Sequence, residues 1–223
     1  MPEQLTTQLE KEKTAVARFR GGEVSYSIVG EQDDEHNPVV LVNGFARGRK
    51  ALGRFADELS SEGHRQVIEA DQPRTKSLRN PIDNQAEALL AILEDSGLAD
   101  RPVDFVAHSF GSLILTRAAE IAKERGLDMT PFEFSKGSRS ILVAPSGSVA
   151  GETTLKLGKR FKEHLESAKA GGRRGLYPEV DAEAVGNLKS QPLKYVRESV
   201  ALGRVKIPYS SLGELGLKPM VLG

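Results

Sequence analysis

Val103-Asp104-Phe105-Val106-Ala107-His108-Ser109-Phe110-Gly111-Ser112-Leu113 is the stretch from which the fold follows. Val103–Ala107 reads as a buried strand and Leu113–Ala122 as a helix, with His108-Ser109-Phe110-Gly111 turning the chain between them. A strand that enters a helix through so tight a turn lets a serine project its oxygen at the helix head. There the backbone N–H of the following residue, Phe110, can face a developing oxyanion. Ala107 stands where the pattern G-x-S-x-G has its first glycine, a small residue that such a turn tolerates. The plain alternative is a chance serine in a β–α turn, and the matching neighbours on both sides weigh against it.

Upstream, Val39-Val42 is continuously apolar, as a strand buried on both faces must be, and Asn43-Gly44-Phe45-Ala46 follows it directly. Glycine at 44 would let the backbone turn so that the Phe45 N–H becomes a second donor to the same oxyanion. Taken alone, this segment would be an ordinary β–α turn. A helix is expected over Lys50–Ser61 from Leu52, Phe55 and Leu59, a strand over Gln66–Ala70, a helix over Asn84–Ser96, and a strand over Ser140–Ala144. Before all of these, Ala15–Phe19 and Glu23–Val29 flank Gly21-Gly22 as a hairpin. Strands and helices in alternation demand a mostly parallel sheet covered by helices on both faces, an α/β class fold.

After Pro145 the pattern changes. Thr153–Ala170 reads as a basic amphipathic helix, 171–175 as a flexible break and Pro192–Leu202 as another helix, with no strand among them. Lys218-Pro219-Met220-Val221-Leu222-Gly223 then begins a further buried strand. The expected division is a core at 1–145, a helical cap or insertion at 146–216, and the start of the next core strand at 217–223.

Composition bounds the function. The 223 residues carry 31 Lys plus Arg against 31 Asp plus Glu, and a net charge of zero argues against a dedicated nucleic-acid binder. No apolar run is long enough to span a membrane and the start is polar, so no transmembrane segment is expected and the default location is cytoplasmic. With no cysteine, thiolate metal sites and cysteine nucleophiles are excluded. No metal and no cofactor is expected. Gly44 to Lys50 resembles a phosphate-binding loop in context, but its spacing is one residue short and the hydroxyl is missing, which disfavours an NTPase. The basic residues of 156–174 could draw an anionic substrate or membrane surface, though a solvated face is the simpler reading.

With these pieces assembled, the chain resembles the α/β-hydrolase superfamily. The resemblance runs from Ala15 to Ala150, through the hairpin, Asn43-Gly44-Phe45, the strand ending at Asp71, the turn Ala107-His108-Ser109-Phe110-Gly111 and the strand ending at Pro145. It implies an esterase-like serine hydrolase that cleaves acyl esters through an acyl-enzyme on Ser109. Phe45 and Phe110 would form the oxyanion hole, and Asn43, Gly44, His108 and Gly111 would shape pocket and turn. The family usually has His-Gly where this chain has Asn43-Gly44, a change that touches substrate contacts more than a backbone donor. Serine at 109 argues against dehalogenases and epoxide hydrolases of the same fold, which carry aspartate there.

In this fold the acid and the histidine of the triad follow the serine along the chain. The resemblance places both after Gly223, so the chain reads as C-terminally incomplete, ending at the strand before the catalytic acid. Roughly 45–50 further residues would be needed for a strand, two helices and their loops. His36 and His64 precede strands and belong at the opposite end of the sheet, His108 is expected to shape the pocket, and His164 reads as a solvated position in the basic helix. Asp71 is expected to hold the loop Gln72–Arg79. The expected partner is a small-molecule acyl substrate, and an uncovered last strand, Met220–Leu222, would invite self-association or completion by a second chain. The competing reading is a catalytically incomplete fragment or non-catalytic binding protein of the same fold.

Overall fold

The computed structural model describes residues 12–33, 35–45, 47–49, 52–75, 81–143, 190 and 209–222. The chain opens with an antiparallel hairpin, β1 (Lys13–Phe19) and β2 (Gly22–Val29), then enters β3 (Val39–Val42) and α1 (Gly53–Ser61). It continues through β4 (Val67–Ala70), a two-residue β5 (Arg74–Thr75), α2 (Pro81–Asp95), β6 (Asp104–His108) and α3 (Gly111–Arg125). A 3-10 turn at Phe134–Lys136, β7 (Arg139–Val143), a second 3-10 segment at Tyr209–Leu215 and β8 (Met220–Leu222) complete the described elements.

These strands form one sheet in the order β1-β2-β4-β3-β6-β7-β8, with β5 paired to β2. From β4 through β8 every neighbouring pair is parallel, while β2 meets both β1 and β4 antiparallel. The strand order reverses direction at β3: α1 carries the chain to β4 on one side, and α2 carries it back past β3 to β6 on the other. In an open α/β sheet, the crevice at the carboxyl ends of the strands beside such a reversal is where ligands bind. The loop after β3 and the turn after β6 both sit there.

Period-2 alternation decides which side chains face which layer. On β3, Val40 and Val42 point into the larger core with Tyr26, Ile68, Phe105, Ala107 and Leu142, under α2 and α3. Val39 and Leu41 point the other way and pack with Val67 and Ala56 against α1. A four-residue strand apolar on both faces is therefore buried on both, as its composition requires. Helix α3 is buried around most of its first turns, from Gly111 through Thr116, because it packs on β3 and β6 and against both α2 and the Tyr209–Leu215 segment. Its Ser112 hydroxyl donates to the Ala107 carbonyl of β6 and its Thr116 hydroxyl to the Ser112 carbonyl one turn back, so neither leaves an unsatisfied donor in the core.

The boundaries differ from the sequence pattern mainly at helix starts. Proline at 81 begins α2 three residues before the apolar repeat, because its fixed φ suits a first helical position. Strands β5 and the two 3-10 segments carry no periodic signal and were not expected. Leu212, Leu215 and Leu217, within or next to the stretch expected as an insertion, join the main core beside α3. The helices expected at 153–170 and 192–202, and with them the helical cap, lie outside the described residues. On the outermost strand Met220 and Val221 are exposed. Among the described residues no helix is long and apolar enough to cross a membrane.

Candidate active site

Ser109 follows directly on β6 and precedes α3, and its φ of +52° puts a non-glycine residue in the left-handed region. Such a conformation costs roughly 1–3 kcal/mol and survives only where the surroundings over-determine it. Here they do. The Ser109 N–H donates to the Val143 carbonyl at the end of β7 (2.9 Å), and its carbonyl accepts from Ser112 N–H (3.1 Å) as the helix begins. Gly111 closes the turn: a Cβ there would stand 2.1 Å from the Val42 carbonyl oxygen, so the head of α3 rests directly on the backbone of β3.

The loop after β3 reaches the same place from the other side. A Cβ built on Gly44 would lie 3.0 Å from His108 Nδ1 and 3.4 Å from Ser109 Cβ, which places the Gly44 backbone against the turn. The Arg47 N–H donates to the Gly44 carbonyl (3.2 Å). Phe45 meets Phe110 edge to face, with ring centroids 6.1 Å apart. The two residues expected to supply oxyanion donors are thus brought together by their own side chains. Asn43 is buried, and its Nδ2 donates to the Gly48 carbonyl (2.9 Å).

Asp71 stands just past β4, at the carboxyl end of the parallel strands where the sequence places it. Its N–H donates to the Ser25 carbonyl, which continues the pairing of β4 with β2, and its carboxylate receives the Arg49 N–H (3.5 Å) and guanidinium Nε (3.1 Å). The carboxylate therefore ties down the loop after β3, while residues 76–79 of the loop assigned to it lie outside the described ones.

The histidines divide as the topology demands. His36, paired with Asp33, precedes β3, and His64 precedes β4, so both stand at the end of the parallel strands opposite Ser109. His108 is half-buried against Gly44; burial, reinforced by the nearby Arg47 charge, holds its pKa below the ordinary imidazole value. His164 lies outside the described residues. Sequence reasoning passed over Glu69, a buried carboxyl on β4 whose pKa burial pushes up to about 8, with repulsion from Asp57, Glu12 and Asp71 opposed by Arg49. The signal was present: a carboxylate inside an otherwise apolar strand.

No protein-family model and no curated protein matches the chain. Solved structures do. An enol-lactonase from Burkholderia xenovorans is 15% identical, with 93% of this chain and 91% of that one covered at a TM-score of 0.62. A carboxylesterase structure from Nitrososphaera gargenis is 18% identical over 93% of this chain and 79% of that one, at 0.60. An esterase from a Rhodococcus species is 14% identical over 94% and 90%, at 0.55. Identities this low speak to architecture alone, and together with the mostly parallel sheet they show that the chain has the α/β-hydrolase fold.

Proposed function

We propose that the protein is a serine hydrolase of carboxylic esters, with Ser109 as nucleophile. The observation that carries this reading is the left-handed Ser109, held between a strand end and a helix head with Gly44 packed against it. In the proposed reaction a base removes the Ser109 proton as Oγ bonds to the ester carbonyl carbon, and the carbonyl oxygen becomes an oxyanion facing the Phe45 and Phe110 N–H groups. Collapse expels the alcohol with the transferred proton, and water then releases the acid from the acyl-enzyme. Lactonase and esterase activities named for the structural neighbours support an ester as the substrate. We assign the base to none of the three described histidines, since two stand at the far end of the sheet and His108 adjoins the nucleophile in the chain and packs against Gly44.

The test is labelling with a fluorophosphonate probe, which phosphonylates an activated serine. Labelling of the parent and its abolition in Ser109→Ala is the expected result. Absence of labelling in the parent would favour a catalytically incomplete fragment or a binding protein that keeps the fold and lacks the base.

A further inference from the structure

A peptide plane fixes its N–H and C=O in opposite directions. The Phe45 N–H is therefore aimed by whatever holds the Gly44 carbonyl, and that is the Arg47 N–H at 3.2 Å. Arg47 is held in turn. Its carbonyl accepts from Gln72 Nε2 at 2.6 Å, and Gln72 Oε1 accepts from Gln85 Nε2 at 2.8 Å. A backbone carbonyl can only accept, so it dictates which way the Gln72 carboxamide faces, and the remaining Gln72 oxygen dictates the same for Gln85. Gln85 is buried in α2, at 6% exposure, a rigid anchor for a chain of donors that runs from the helix to the loop.

We propose that Gln72, oriented by Gln85, is a positioning residue for the Phe45 N–H. The proposal rests on the reading of Ser109 and Phe45 given above, and adds the means by which the donor is aimed. Asn43 on the Gly48 carbonyl and Asp71 on Arg49 brace the same loop from either side. Without the Gln72 donor the Arg47 carbonyl loses one of its holds, the bond from Arg47 N–H to the Gly44 carbonyl weakens, and that carbonyl can rotate toward the place where negative charge develops. Misplacing a donor by about 1 Å is enough to slow chemistry by two orders of magnitude while leaving binding nearly untouched.

The experiment compares the parent with Gln72→Met, which keeps the volume and loses the donor, Gln85→Met and the double variant. Three readouts are taken: the limiting rate and half-saturation of fluorophosphonate labelling, amide hydrogen exchange over residues 44–48, and the melting temperature. Gln72→Met should lower the limiting rate about 10- to 100-fold with half-saturation within about twofold, and should speed exchange of the Arg47 amide. Gln85→Met should act in the same direction, and the double variant should be no slower than Gln72→Met, since both break one chain of bonds. Labelling at the parental rate in Gln72→Met overturns the proposal. If the parent itself shows no Ser109-dependent labelling, the hydrolase reading fails and exchange decides: a faster Arg47 amide in Gln72→Met upholds the clamp, and an unchanged one overturns it. Should Gln72→Met fail to fold, Gln72→Glu carries the same expectations.

Discussion

A Cβ on Gly111 would lie 2.1 Å from the Val42 carbonyl oxygen and 3.0 Å from that of Asn43, backbone atoms that cannot move aside as a flexible side chain can. Gly111→Ala must therefore push α3 off β3, and a loss of about 3 kcal/mol or more is expected in urea unfolding. Gly53, with nothing within 4 Å of an added Cβ, is the matched control: Gly53→Ala should be neutral or slightly stabilising. The contrast separates a steric requirement of the Ser109 turn from any general intolerance of glycine replacement. Only the first of these glycines stands out in the sequence, and it does so for the turn pattern, whereas the contact that makes it obligatory belongs to a strand nearly seventy residues earlier in the chain.

Elements are tied differently at the two ends of the sheet. At the carboxyl ends, where Ser109 sits, the ties are mainly backbone and carboxamide. At the amino ends Arg65, just before β4, pairs with Asp104 at the start of β6 (2.6 Å) and donates to the Asn37 carbonyl, while Asn37 donates to Asp104 (3.0 Å) and to the Gly137 carbonyl (2.9 Å). One network thus gathers the entries to four parallel strands. Asp104 accepts from both Arg65 and Asn37 with its side chain largely buried, so Asp104→Asn leaves a partly buried guanidinium without its charge partner. A loss of about 2 kcal/mol is expected from the urea midpoint. Because the network lies opposite Ser109, fluorophosphonate labelling of the folded variant should keep the parental rate; a slowed rate would show that the two ends are coupled.

For the molecule as a whole, Glu69 sets a pH dependence of folding. It sits on β4 directly across from Ser27 of β2, both buried, and Glu69 Oε1 and the Ser27 hydroxyl have no hydrogen-bond partner among the described residues. The unfolded chain releases this proton near the ordinary value of 4.5, and the native state holds it to about 8. Between those values the native state binds more protons, so stability falls as pH rises. The contribution is whole below about pH 4.5 and is lost by the time pH passes about 8. Glu69→Gln should flatten this slope and make the protein more stable than the parent at pH 9, by roughly 1–3 kcal/mol, measured as urea midpoints across pH 5 to 9. An unchanged slope would place the titrating group elsewhere.

Periodicity and turn chemistry are local properties, and so the sequence by itself determined the alternation of strands and helices, the burial of Val39–Val42 on both faces and the strand–turn–helix setting of Ser109. What depends on residues distant in the chain was decided only by tertiary structure. The placement of β3 between β4 and β6 brings the 43–49 loop to Ser109. The packing of α2 brings Gln85 to Gln72 and so to Arg47, and the pairing of β2 with β4 shuts Glu69 away from water. A glutamine or glutamate carries no sequence mark of the partner it will meet, because hydrogen bonds and desolvation depend on neighbours in space that no local pattern encodes.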